Sequence, residues 1–459
     1  MPNIYSNGLR LNSPHSIEAI SESDLYQIIL AQKGVEKKQP APPKKLGLAY
    51  SLKNHVKNLK MVRWGIIWYP NDSKVTPAEK LHRQYLQKLI DLRQTQMGYN
   101  LPQLLFESGW TAPDFLQQNG VSTGDMQTAA VPYYLLIVAS PERIPWDFQQ
   151  QLDGEYAVGR LWFDDPLDCQ RYVEHLLAYE AGAPAKARET LVVGTRHNGD
   201  PITQSSAPEL VQPLYDWLKA DPDGRGYQAS LLLGDEWEQE ALRYKVLDRL
   251  KGTAQPAPAL LFTATHGLNE PDDPATCGAL VMQDWPGEPH PLKLSYCLAG
   301  EAALASLPLE GMLAFCFACY SAGVPHLQDW VHPATGKAKV LAPVPYVSRL
   351  PQKLLAQGLL GFIGHVSKAW DFSYLGATLA SPHIGSFKET LAQLMDGLPV
   401  GHALDALNLR TLSLSGVVAD MLEHPEKYQD EQQVINTWMA RNDCRGHVLL
   451  GDPFAAIRV

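Results

Sequence analysis

The sequence predicts an α/β fold, a three-layer αβα sandwich on a mostly parallel sheet, preceded by a smaller α/β subdomain. Three observations lead there. From about residue 187 onward, apolar runs of strand length alternate with stretches of helical spacing. Several runs, such as Met312–Cys319, are continuously apolar, as strands are when both sheet faces are covered. Strands separated by helices also imply crossover connections, which build parallel sheets of right-handed topology.

Taken in order, residues 1–60 read as a polar extension ending in a linker. The stretch Glu36-Lys-Lys-Gln-Pro-Ala-Pro-Pro-Lys-Lys45 carries charge and proline that oppose a packed element. Residues 61–186 form the smaller subdomain. Its strands are expected at 62–69 and 132–139, and its helices at 77–96 and 168–179. The small, basic and proline-bearing run Gly182-Ala-Pro-Ala-Lys-Ala-Arg188 marks the boundary. Residues 187–459 form the main subdomain. Strands are expected at 190–195, 228–233, 259–265, 278–283, 312–319 and 359–365, and helices at 209–220, 236–250, 301–307, 350–357 and 386–395. The chain shows neither a fixed-period repeat nor coiled-coil heptads.

Composition narrows the functional classes. A chain of 459 residues accommodates two to three domains of roughly 150 residues. With 45% hydrophobic and 19% charged residues it has the material for a sizeable core. Its formal charge of −10 argues against a general nucleic-acid or anionic-membrane binder, since phosphate recognition needs cationic excess. No apolar run approaches the roughly 20 residues of a membrane span, and the first twenty residues lack the basic-then-apolar pattern of a secretory signal. Six cysteines in so long a chain do not make a disulfide scaffold. The expectation is a cytoplasmic protein with reduced thiols and no cofactor.

The stretch Ala314-Phe-Cys-Phe-Ala-Cys-Tyr-Ser-Ala-Gly323 holds a C-x-x-C spacing. Along a strand the two cysteines point to opposite faces with Cα atoms roughly 10 Å apart, beyond disulfide reach. Cys277 and Cys297 do not form a second such spacing, so the pattern for zinc is incomplete. Cys316, between Phe315 and Phe317, reads as a buried packing residue. Cys319 stands where the apolar run ends, and ligands gather at the carboxyl ends of strands in open parallel sheets. An earlier strand, 260–265, ends in His266-Gly267, which would bring an imidazole and a thiol to the same sheet edge. The bare backbone at Gly267, with the N–H of Cys319, would suit an oxyanion hole. His365, also at a strand end, is the rival base.

The pair Thr265-His266-Gly267 and Ala318-Cys319-Tyr-Ser-Ala-Gly323 resembles the caspase-like cysteine peptidases, the clan of caspases, gingipains and CHAT-domain proteases. Further motifs resemble the gingipain branch: Tyr133–Ala139 with Ile144-Pro145, Asp153, Tyr156 and Gly159-Arg160; Gly361–Trp370; and Leu450-Gly-Asp-Pro453. The match covers roughly residues 130–455 as ordered short motifs. The resemblance implies Cys319 as nucleophile, His266 as general base and acid, and Gly267 and Cys319 N–H groups holding the oxyanion. It implies a substrate pocket with Trp370 and, at its base, Asp153 pairing with a basic residue; Asp284 is a second acidic candidate. It also makes 321–345 and the linker 36–46 candidate activation or self-cleavage segments.

The expected function is therefore a cysteine endopeptidase making limited cuts in a protein or peptide partner. By the same analogy, its setting would be microbial defence or stress signalling. A catalytically silent scaffold binding a partner through the pocket is the alternative, and a thiol or metal protein using C-x-x-C is a third.

Overall fold

The computed structural model describes residues 3–13, 17–33, 55–70, 75–234, 240–299, 304, 307–375 and 383–458. Its backbone is one ten-stranded sheet covered by helices. The order across the sheet is Leu104–Leu105, Trp64–Trp68, Tyr134–Val138, Ala157–Arg160, His447–Gly451, Gly361–His365, Leu313–Phe317, Pro258–Ala264, Ala187–Gly194 and Gln228–Leu233. The first five strands are mutually parallel, and so are the last five. The two halves meet at a single antiparallel seam between Gly361–His365 and His447–Gly451. The sheet is thus mostly parallel, as its apolar runs predict, but the chain's last strand returns to complete the first half.

The continuous apolar runs are buried on both faces. Every residue of Tyr134–Val138, Pro258–Ala264, Leu313–Phe317 and Gly361–His365 is inaccessible or nearly so. Phe262, Phe315 and Phe387 pack edge-to-face or stacked across one face at centroid distances of 5.4–6.2 Å.

Several elements differ from expectation. The helix expected over 77–96 is two, Pro77–Tyr85 and Gln87–Met97. The stretch 278–283 yields only Leu280–Val281, which belongs to a small second sheet. The strand through the cysteines stops at Phe317, two residues before Cys319. Two long helices, Asp405–Glu423 and Glu431–Arg445, have no counterpart in the sequence reading because their apolar periodicity is weak. The linker 36–46 and most of the helix expected at 301–307 lie outside the described residues, as do 236–239 of the helix expected at 236–250.

The largest difference is at the start of the chain. Residues 3–9, read as part of a polar extension, form the strand Asn3–Leu9. It pairs antiparallel with Ile17–Ser21 and parallel with Gly267–Leu268 in the small sheet. The helix Glu22–Ala31, N-capped by Ser21, follows and buries Leu25 and Ile29 against a cluster containing Trp438 and Met439. Among the described residues, no helix is long and apolar enough to cross a membrane.

Candidate active site

His266 and Cys319 arrive at one sheet edge by register. Ala264 lies opposite Phe317 in the parallel ladder. Both chains then continue for two residues, so His266 and Cys319 leave the sheet at the same level. Thr265 N–H still donates to the Phe317 carbonyl at 3.2 Å, which keeps the two chains together to that point.

Glycine at 267 is required by contact. A Cβ there would stand 2.0 Å from the Cys319 carbonyl oxygen and 2.9 Å from the Cys319 nitrogen, so any other residue would push the two strand ends apart. After Cys319 the chain turns sharply. Tyr320 holds φ at +56° and donates its N–H to the carbonyl of Ser367, itself at φ +77°, at 2.7 Å. Two non-glycine residues in left-handed conformations, facing each other beside a cysteine, are the kind of strain that collects at functional sites. Cys319 Sγ accepts from Ala369 N–H at 3.1 Å and lies 3.4 Å from the Ala369 carbonyl.

The imidazole of His266 is fully buried and held at one nitrogen. Its Nε2 meets Asp200 Oδ2 at 2.5 Å. Its Nδ1 is buried with no hydrogen-bond partner. Asp200 is itself fixed as the N-cap of the helix Pro201–Ser206. Oδ1 accepts from Ile202 N–H at 3.1 Å, and Oδ2 from the Thr203 hydroxyl at 2.5 Å. Burial alone would raise the Asp200 pKa, but the adjoining His266 outweighs it, leaving the carboxyl at about 2. His197 stacks on His266 with centroids 6.2 Å apart, and burial holds it neutral with a pKa of about 4. Trp285 closes the other flank of His266 edge-on at 6.4 Å.

His365 has both ring nitrogens turned elsewhere. Nε2 meets the Asp443 carbonyl at 2.9 Å and its carboxylate at 3.3 Å, while Nδ1 faces the Ser367 carbonyl at 3.4 Å. Asp443 also receives the N–H groups of Trp370 at 2.8 Å and Ser373 at 2.7 Å, and so fixes the loop that carries Trp370.

The structure therefore brings His266, Gly267, Cys319 and the Ala369-Trp370 backbone together. It does not bring Asp153 or Asp284 to them. Asp153 precedes the strand Ala157–Arg160, three strands from Cys319 or roughly 14 Å across the sheet. Burial drives its pKa well upward there, and Oδ2 has no hydrogen-bond partner. Asp284 turns to the helix Arg243–Lys251 and accepts from Arg243 N–H at 2.6 Å. Cys316 is buried, its pKa raised to about 12 by that burial. All six cysteines are free thiols. Among the described residues, no group of three or more His, Cys, Asp or Glu is placed to hold a metal.

Asp200 is the residue that sequence reasoning passed over. Its signal was present: Asp-Pro is a helix-start pair, and it follows the strand adjacent to the one that ends at His266. A cavity of about 620 Å³ is lined by Asp273, Cys277, Leu304, Arg349 and Lys353 among others, and includes neither His266 nor Cys319. The strand Asn3–Leu9 lies across His266 and Cys319, and both side chains have zero exposure.

No protein-family model matches the chain, and no curated protein matches by sequence. Solved structures do match by fold. One described as "Structure of Protease" aligns over 88% of this chain and 81% of its own, with TM-score 0.51 and 12% identity. The Arg-specific cysteine proteinase gingipain R aligns over 86% and 78%, with TM-score 0.49 and 14% identity. The complex of the pro- and mature domains of RgpB from Porphyromonas gingivalis aligns over 86% and 80%, with TM-score 0.46 and 14% identity. At such identities the likeness is one of fold.

Proposed function

We propose that the chain is a cysteine endopeptidase of the caspase-like kind, with Cys319 as nucleophile and His266 as general base and acid. The observation that carries this is the unfinished imidazole. His266 is buried at the same strand-end level as Cys319, anchored through Nε2 by Asp200, with Nδ1 left unpartnered. A buried polar atom without a partner is costly, and here it is the atom a thiol proton needs.

In the first step, the Cys319 proton passes to His266 Nδ1 and the sulfur attacks the peptide carbonyl carbon. Asp200, anionic throughout, holds the ring orientation and offsets the imidazolium charge. The carbonyl oxygen becomes an oxyanion facing the N–H groups of Gly267 and Cys319. Collapse breaks the C–N bond, His266 returns its proton to the departing amine, and a thioester remains on Sγ. Water then attacks the thioester, giving a proton to His266, and the acid leaves as the thiol is restored. Trp370 would border the pocket on the acyl side. Because Asp153 stands three strands away, no preference for a basic residue is assigned to it. The proposed biological role, limited cuts in a partner protein during microbial defence or stress signalling, rests on the family resemblance.

The covered site favours one other reading, a catalytically silent scaffold. The two are separated by a diverse peptide library offered to the full chain and to a full chain carrying Gly8→Val, each with and without Cys319→Ala. Cleavage that disappears with Cys319→Ala supports the peptidase. Equal cleavage with and without Cys319, or no cleavage by any of the four, contradicts it.

A further inference from the structure

Asn3–Leu9 runs between the two backbone edges that border Cys319. On one side Ser6 bridges Trp370 in the antiparallel sense, and Asn7 N–H donates to the Ala369 carbonyl at 2.9 Å. On the other, Gly8 and Leu9 lie parallel to Gly267 and Leu268, and Asn269 N–H donates to the Leu9 carbonyl at 2.8 Å. The alternation of a parallel ladder in this register directs the Gly267 N–H toward the Asn7 carbonyl. That N–H is the one assigned above to a substrate oxyanion.

The fit is close along the strand. Asn7 Nδ2 donates to the Thr265 carbonyl at 2.8 Å in a buried contact. An ideal Cβ on Gly8 would lie 3.2 Å from Cys319 Sγ and 3.2 Å from Asn269 Cβ, so the sulfur faces Gly8 closely and a larger side chain there would have to push it or the strand aside. The two ends are anchored separately. Ile4 packs in a cluster with Trp370 and Trp438, and Leu9 in another with Leu268 and Trp285. Ser6, Asn7 and Leu9 are at most 2% exposed, which is core burial rather than a draped terminus.

We infer that Asn3–Leu9 is a built-in occupant of the substrate groove, threaded as a peptide substrate would be, with the Asn7–Gly8 bond over Cys319, and that it keeps the chain latent until displaced. Calling the groove a substrate groove rests on the peptidase reading; the occupancy does not. A competing substrate would be an extended peptide with glycine or another very small residue at the position of Gly8.

The test reads thiol accessibility, which requires no catalysis. The native full chain is treated with iodoacetamide, and alkylation of each cysteine is followed by mass spectrometry. In the wild type, Cys319 should react as slowly as core-buried Cys316. Gly8→Val crowds the strand off the sulfur and should speed alkylation of Cys319 by about tenfold or more, in step with the open fraction, while Cys316 stays slow. Wild-type Cys319 reacting like an exposed thiol overturns the inference, and so does an unchanged Cys319 rate in a folded Gly8→Val chain. Should Gly8→Val unfold, Cys316 will accelerate as well, and the wild-type comparison of Cys319 with Cys316 decides alone. Faster alkylation without peptide cleavage upholds the occupancy and counts against the peptidase reading.

Discussion

Two buried carboxylates beside buried bases, Asp452 and Asp200, are finished differently. Asp452 follows the last strand, in the Gly-Asp-Pro stretch. Its Oδ2 takes Arg93 Nε at 3.0 Å, and its Oδ1 takes Trp64 Nε1 at 2.8 Å and Phe454 N–H at 3.1 Å. Arg93 directs its remaining donors to Asp452, Glu180 and Gln96. Every group in that network is used, and a guanidinium does not exchange protons near neutrality. Asp200 is as well satisfied, by Ile202, Thr203 and His266, but the base it holds keeps Nδ1 without a partner. A closed network can only hold the fold, whereas an anchored imidazole with one unpaired nitrogen can carry a proton. Burial and charge alone do not separate the two sites; the unfinished atom does.

The sharpest way to break this comparison is to open the closed network. Asp452→Ala would leave the buried Arg93 without its fully buried counter-ion and with only Glu180 to offset it, at a cost of about 3–5 kcal/mol in unfolding free energy. Denaturant melts would show it, and wild-type stability in the variant would remove the structural assignment. Asp200→Asn should do the reverse. Stability should change by about 1 kcal/mol, while kcat for peptide cleavage by a chain with a displaced N-terminal strand should fall about 100-fold with KM little changed. A comparable loss in both parameters, or in stability alone, would make Asp200 a structural residue like Asp452.

A pH series sharpens the contrast further. His197 is buried neutral, its pKa depressed by that burial to about 4 in the folded chain against the ordinary value of 6.5. The unfolded chain therefore binds the extra proton first. The stability this group contributes is full above pH 6.5 and is lost as pH falls from there toward 4. Unfolding midpoints of wild type and His197→Asn should converge over that interval, and parallel curves would contradict the assignment. The smallest effect expected is from Cys316→Ala, about 1 kcal/mol of stability from lost core packing, with peptide cleavage unchanged. Loss of cleavage there would reopen the role of the C-x-x-C spacing.

Much of this was legible in the sequence, and the gaps have physical causes. Continuous apolar runs identified the strands that carry His266 and Cys319, because burial on both faces leaves that imprint. Asp200 went unread because its function depends on strand order: Ala187–Gly194 must lie beside Pro258–Ala264 before its exit loop can reach His266. The placement of Asp153 failed for the same reason, since spacing along the chain does not say that two strands intervene in the sheet between its strand and that of Cys319. The segment 3–9 reads as part of a polar extension because its polar residues mask a strand whose partners lie far along the chain. Here glycine is set by contact with Cys319, and asparagine by a buried backbone carbonyl.

The most direct test of the central claim is to stop peptide turnover by acid quench in the Gly8→Val chain and find which residue carries the acyl group. Mass spectrometry should locate a peptidyl thioester on Cys319, absent from the same chain with Cys319→Ala. An acyl group on any other residue, or cleavage that persists in the Cys319→Ala chain, would contradict the account.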